Sequence, residues 1–238
     1  MRTWASDPCA RSAWKLTEPS FSATWCNANH VYVSMSTVAF SSAAVEKALG
    51  HLARYGILLE SDSALPSVTG LVAGGPVKGS WWGHPRGHEI FRVLSELAEH
   101  PDVLVSKLVC GKVTLVDRKL WPAVFAVGAA RESWQLAGLG PAARALLRRV
   151  DKNGRAEASG EAARELEKRL LVHSEQIHTE AGSHAKILET WQTWAKQVGL
   201  APGAMAIPEA KAMLTRALSR IDETFGAKGR LPWPHDSC

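Results

Sequence analysis

The first sustained pattern in the chain begins at Ser42. Val45, Leu49 and Leu52 recur at helical spacing and Leu59 extends the series, with Ser41 and Ser42 as candidate N-caps. A helix is therefore expected from here, ended by Ser61-Asp62-Ser63 and Pro66. Residues 66–87 are rich in Gly and Pro, with scattered β-branched residues, and read as a long loop holding one short strand. Ile90, Val93, Leu94 and Leu97 form the inward stripe of a second helix, which starts near Pro85–His88 and runs to Glu99. After Pro101-Asp102, two apolar runs at 103–109 and 112–116 flank Cys110-Gly111 and predict a β-hairpin. Asp117 is placed to cap a further helix containing Trp121, Val124 and Phe125.

Beyond Leu139-Gly140-Pro141 the spacing predicts a helix over 142–150, with Leu146, Leu147 and Val150 apolar. A turn at Asp151-Lys152-Asn153-Gly154, a short strand at 155–158 and a charge-rich helix from Ser159 to Leu171 follow. Residues 171–180 alternate like a strand, Ala181-Gly182-Ser183 reads as a turn, and Leu188 to Val198 carries Trp191 and Trp194. Met205, Ala212, Met213, Leu218 and Ile221 mark a last helix over 205–225, and Pro232-Trp233-Pro234 reads as a stiff tail. Residues 1–40 show no sustained period and read as a poorly organised arm, with Met35 as an alternative start. The expected class is α+β, predominantly helical, in three regions: the arm 1–40, a helical and hairpin region 41–140, and a region 141–238.

Composition narrows the function classes. Of the 238 residues, 46% are hydrophobic and 21% charged, the balance of a chain that builds a core. No window approaches the roughly 18 apolar residues of a membrane span. Asp7, Arg11, Lys15 and Glu18 interrupt any apolar stretch of an export signal, so a cytoplasmic location without membrane contact is expected. Cys9, Cys26, Cys110 and Cys238 lie far apart with no CxxC pair, which argues against a zinc ribbon or a disulfide framework. The net charge of +5 is mildly basic and compatible with nucleic acid. Ten Trp against two Tyr and five Phe supply either buried anchors or stacking surfaces.

Three polar concentrations are candidates for chemistry. In Lys78–Glu89 two adjacent indoles, Trp81 and Trp82, sit between glycines just ahead of a helix, beside His84, Arg86, His88 and Glu89. Trp81 and Trp82 can stack on an extruded base, Lys78 and Arg86 can hold flanking phosphates, and His84, His88 or Glu89 can orient a water or relay a proton. The alternative is a loop whose indoles plug the core and whose histidines are solvated. His84 and His88 have metal-ligand spacing without a third ligand in matching context, so no metal and no cofactor is expected. The hairpin and the residues after it carry Lys107, Lys112, Arg118 and Lys119, either a track for a phosphate backbone or the wet face of a half-buried ribbon. In strand geometry Gln176, His178 and Glu180 share one face, and Gln176 and His178 suit a base edge or an attacking water, or simply point outward.

The order of elements in 141–197 resembles winged-helix DNA-binding domains. Gln176-Ile177-His178 is similar to the Gln–apolar–Gln motif with which winged-helix DNA glycosylases position a hydrolytic water. That family is longer, with repeated winged helices, and carries its motif near its start. The resemblance implies DNA as partner and a base-excision enzyme acting on a flipped base, in repair or anti-phage defence. Glu89 is then the catalytic carboxylate with His84 and His88 as donors, and Gln176 with His178 forms a second set. The rival expectation is a winged-helix regulator without catalysis, reading DNA with the helix 160–171. A third is a small-molecule or partner site lined by Trp.

Overall fold

The computed structural model describes residues 42–178, 184–201 and 205–234, with 176–178 and 184–185 given by backbone alone. Helix α1 (Ala43–Tyr55) starts at Ser42, whose hydroxyl accepts from the Val45 N–H at 3.4 Å. It stops before the pattern does. Gly56 takes the left-handed conformation (φ 85°) and closes the helix by donating to Leu52 O. Leu59, which continues the helical spacing, lies instead in strand β1 (Ile57–Leu59). All three residues of β1 are buried, so the strand has no alternation to betray it.

The loop expected over 66–87 contains helix α2 (Val68–Ala73), capped by the Ser67 hydroxyl, and a 3-10 turn at Trp81–Gly83. A six-residue helix is too short for its period to announce it. In place of the expected strand there is a single bridge between Leu59 and Ser67. Helix α3 (Gly87–Ala98) buries Ile90, Val93 and Leu97 as the stripe predicts. The hairpin forms as strands β2 (Val103–Val109) and β3 (Lys112–Asp117). Cys110 (φ 53°) and Gly111 (φ 65°) both turn left-handed, which matches the twist of a two-residue hairpin. β1 adds to the far side of β3, giving the antiparallel order β1-β3-β2.

Both faces of this sheet are covered, and its strands alternate between them. Leu58, Val103 and Leu115 face α1, α2 and α3. Ile57, Leu59, Leu104 and Val116 face the other way, toward helices α4 (Trp121–Ala129), α8 (Trp191–Gln197) and α9 (Ile207–Phe225). A short helix α5 (Ser133–Leu136) follows α4.

The remaining elements are helix α6 (Pro141–Asn153), strand β4 (Arg155–Ala158), helix α7 (Gly160–Lys168), and strands β5 (His173–His178) and β6 (His184–Glu189). Their sheet is antiparallel in the order β4-β6-β5. Leu146, Leu147 and Val150 of α6, Ala163 and Leu166 of α7, and Leu188 of β6 make its core. Leu170, Trp191 and Trp194 join the cluster that also holds Leu104 and Leu108, so residues on both sides of 140 share one core, and Phe40–Cys238 is one compact unit. Trp233, read as part of a stiff tail, is buried in that same cluster 6.2 Å from the Trp134 ring. The structure is thus α+β and predominantly helical, with two small antiparallel sheets. Among the described residues no helix is long and apolar enough to cross a membrane.

Candidate nucleic-acid interface

The Gly-rich loop ahead of α3 separates its two indoles. Trp81 turns inward and is buried with Ile90 and Val93, its Nε1–H donating to Glu60 Oε1 at 3.2 Å. Trp82 turns outward and is 68% exposed. The two rings stack at 4.1 Å with an angle of 22° between planes, so the buried indole is a footing for the exposed one. Phe91, one turn into α3 and itself 46% exposed, stands 5.8 Å from Trp82 and widens the surface into an aromatic ledge. Plug and platform, posed as alternatives for the sequence, are divided between two adjacent residues.

The polar members of the loop hold it in place. Arg86 makes a two-pronged ion pair with Glu89, Nε to Oε2 and Nη2 to Oε1 at 2.8 Å each, and also donates to Val72 O. The hydrogen bonds from Arg86 hold the Glu89 carboxyl below the usual carboxylate range. His84 Nδ1 accepts from the Arg86 N–H at 3.1 Å and the His84 carbonyl from Gly87 N–H at 2.7 Å. Lys78 and His88 are exposed. Among the described residues no group of three or more His, Cys, Asp or Glu is placed to hold a metal ion.

Each basic residue of the hairpin region faces an acid. Lys112 reaches Asp62 at 2.6 Å, Arg118 reaches Asp102 at 3.2 Å while lying over Trp121, and Lys119 is 3.8 Å from Asp117 and donates to Ala53 O. Lys107 points into the molecule, toward Glu167 of α7. Glu167 is only 3% exposed and also receives Lys186 of β6 and the Ser174 hydroxyl of β5, both at 2.6 Å from Oε1. Lys107 Nζ stands 3.3 Å from Oε2, at ion-pair distance but outside hydrogen-bond alignment. This buried cluster joins the two sheets.

The strand set is only partly described. Gln176 and His178 lie in β5, paired in register with Lys186 and His184, and their side chains, with all of Glu180, fall outside the described residues. Nearby, His173 Nδ1 is 2.9 Å from Glu189 Oε1, Gln197 donates to Glu189 Oε2 at 2.9 Å, and the His173 ring lies against Trp191 and Trp194. The 78–89 loop and the second sheet are anchored in different hydrophobic clusters.

Sequence reasoning missed Phe91 and Glu60. Phe91 carried a signal: it is a large apolar residue off the inward stripe of an amphipathic helix. Glu60 carried none, because its role depends on β1 bringing it to the Trp81 indole. No family model matches the chain, and no curated protein or solved structure matches it either.

Proposed function

We propose that this protein binds DNA and takes an unpaired base on the Trp82–Phe91 ledge. The observation that carries the reading is the exposure of Trp82 on a buried, hydrogen-bonded Trp81. The exposed indole, held flat against a fixed one, offers an open stacking face, and a nucleobase stacked on it extends the indole pair by one ring. Lys78 and His88 stand exposed along the same loop and helix, suited to flanking phosphates, and Arg92, 3.9 Å from Glu96, is exposed beside them. Residues 141–189 support the same partner. Their helix–strand–helix–strand–strand order, with the last strand central in the sheet, is similar to the element order of a winged helix, although a strand and not a tight turn separates the two helices.

The binding reading, close to the regulator alternative, has better support than base excision by a DNA glycosylase. Excision needs a carboxylate or activated water free to approach the sugar. Both Glu89 oxygens are engaged by Arg86, which makes Glu89 a strut of the ledge.

The test is intrinsic fluorescence and anisotropy with a single-stranded oligonucleotide and with a duplex carrying a bulged base. Binding quenches tryptophan emission, and Trp82→Ala weakens it by roughly tenfold or more, the scale of one lost base stack. Equal affinities for wild type and Trp82→Ala overturn the ledge. Alkali-labile sites appearing in a panel of damaged or modified oligonucleotides would bring excision back.

A further inference from the structure

Helix α6 divides cleanly into two faces. Ala143, Leu146, Leu147 and Val150 are buried against α7 and the second sheet. The opposite face is exposed and carries Arg144, Arg148 and Lys152 at successive fourth positions, continued by the exposed Arg155 at the start of β4. Arg149 is exposed as well and donates to Glu157 O at 2.7 Å, which leaves its charge uncancelled. Among the described residues none of these five cations sits within ion-pair distance of a carboxylate. The one acid of the helix, Asp151, is taken by Arg131 at 2.6 Å. The basic side chains of the hairpin region are paired, as are Arg164 of α7 with Glu161 and Arg169 just beyond it with Glu165. Arg216 and Arg220 of α9 are exposed without an ion pair too, but among the described residues no other helix lines up three such cations on one face. The N-terminal end of α6 is occupied too, since Gly140 N–H donates to the Glu165 carboxylate at 3.3 Å. The charge available to a ligand therefore lies along the side of the helix.

We infer that this face of α6 is a second contact surface for the same partner, tracking the phosphate backbone of duplex DNA. The inference rests on the DNA-binding reading above and deepens it. Eight residues of helix place Arg144 and Lys152 about 12 Å apart, equal to the axial rise of roughly three to four phosphates of one strand. Arginine forks grip phosphate oxygens by two hydrogen bonds. Ala142 and Ala145, which flank Arg144, are small and exposed, so this end of the helix can approach a groove wall closely. A helix built to enter a lipid surface would carry large apolar residues on its exposed flank, and this one has none among the described residues.

The experiment uses the full chain and a fluorescein-labelled 24-base-pair duplex, with affinity measured across a salt titration. The triple variant Arg144→Gln/Arg148→Gln/Lys152→Gln should reduce the slope of log affinity against log salt by about 2 to 3, and weaken binding roughly a hundredfold or more at 0.1 M salt. Arg216→Gln/Arg220→Gln on α9, two exposed arginines likewise without an ion pair among the described residues, should leave the slope unchanged, and so should Trp82→Ala. Circular dichroism and thermal midpoints within error of wild type establish that the variants fold. A triple-variant slope equal to that of wild type overturns the inference, as does a loss confined to binding of phosphatidylserine vesicles. If wild type binds neither single strand nor duplex at low salt, both readings fall together. If Trp82→Ala leaves single-strand and bulged-duplex affinity unchanged while the triple variant lowers the duplex salt slope, only the ledge falls.

Discussion

Removing the carboxylate at position 167 should be among the most damaging polar substitutions in the protein. Glu167 is buried and balances Lys186 and Lys107, which reach it from different sheets, while Ser174 donates to it. Glu167→Gln keeps the volume and removes the charge, leaving two ammonium groups facing each other around a neutral amide. Deleting one partner of a buried pair costs about 3–5 kcal/mol. The lysine side chains are 17% and 29% exposed and can lean toward water, so the low end of that range, about 3 kcal/mol, is expected. Urea unfolding at pH 7 measures it. The pH dependence supplies a second readout. Burial alone would raise the Glu167 pKa, but hydrogen bonds from Lys186 and Ser174 and the charges of Lys186 and Lys107 hold it below the usual range. A lowered folded pKa contributes stability that is present above the unfolded value near 4.3 and is lost as pH falls through the folded one. The gap between wild type and Glu167→Gln should therefore narrow below about pH 4. A loss under about 1 kcal/mol at pH 7, or a gap that stays constant down to pH 3, would refute the reasoning.

Two further outcomes are expected. In Gly128→Ala the new Cβ would stand 2.4 Å from the indole of Trp191, a fully buried ring whose Nε1–H donates to Leu170 O at 2.7 Å. Overpacking of about 1–3 kcal/mol outweighs the roughly 1 kcal/mol gained in helix propensity, so the thermal midpoint should fall by a few degrees, and a rise would contradict the packing described. The His51 ring lies tilted against Tyr55 at 4.6 Å, and its buried Nε2 has no hydrogen-bond partner among the described residues; burial, and then the charge of Arg54, lower its pKa to about 4. Protons bind the unfolded chain first, so stability at this site is full above about pH 6.5 and is lost as pH falls toward 4. His51→Phe should flatten that limb of the urea-midpoint profile, and an identical profile would count against it.

How much of this was legible in the sequence depended on whether a segment had one wet face. Helices α1, α3, α6 and α9, the β2–β3 hairpin and strand β4 each alternate between core and water or carry a strong turn signal, and all stood out. β1 did not, because Ile57, Leu58 and Leu59 are buried on both sides and a three-residue apolar run has no period. α2 is shorter than two turns and hides among glycines. At the candidate site, residue types drew attention to the 78–89 loop, but adjacency could not say that Trp81 goes in and Trp82 stays out. That division is set by Glu60, which β1 brings to the indole. The charges misled in a similar way: Lys107 and Lys112 read as free cations until the fold brought Glu167 and Asp62 to them. The α6 stripe was present as Arg144, Arg148 and Lys152, and only the absence of carboxylates paired with it among the described residues gives it weight.

The central sheet also dictates an order of assembly. β2 and β3 are neighbours in sequence and can zip as soon as both exist, yet the face they present to Trp191, Leu214 and Trp233 is completed only by segments synthesised much later. The Cys110 N–H at the hairpin tip is capped by Arg230 O, half a chain away. Until the last helix and Trp233 leave the ribosome, the part of that apolar sheet face beyond α4 stays uncovered. A slow, non-local closing step, and a need for protection from aggregation during synthesis, are the kinetic consequences of seating that final indole in the core.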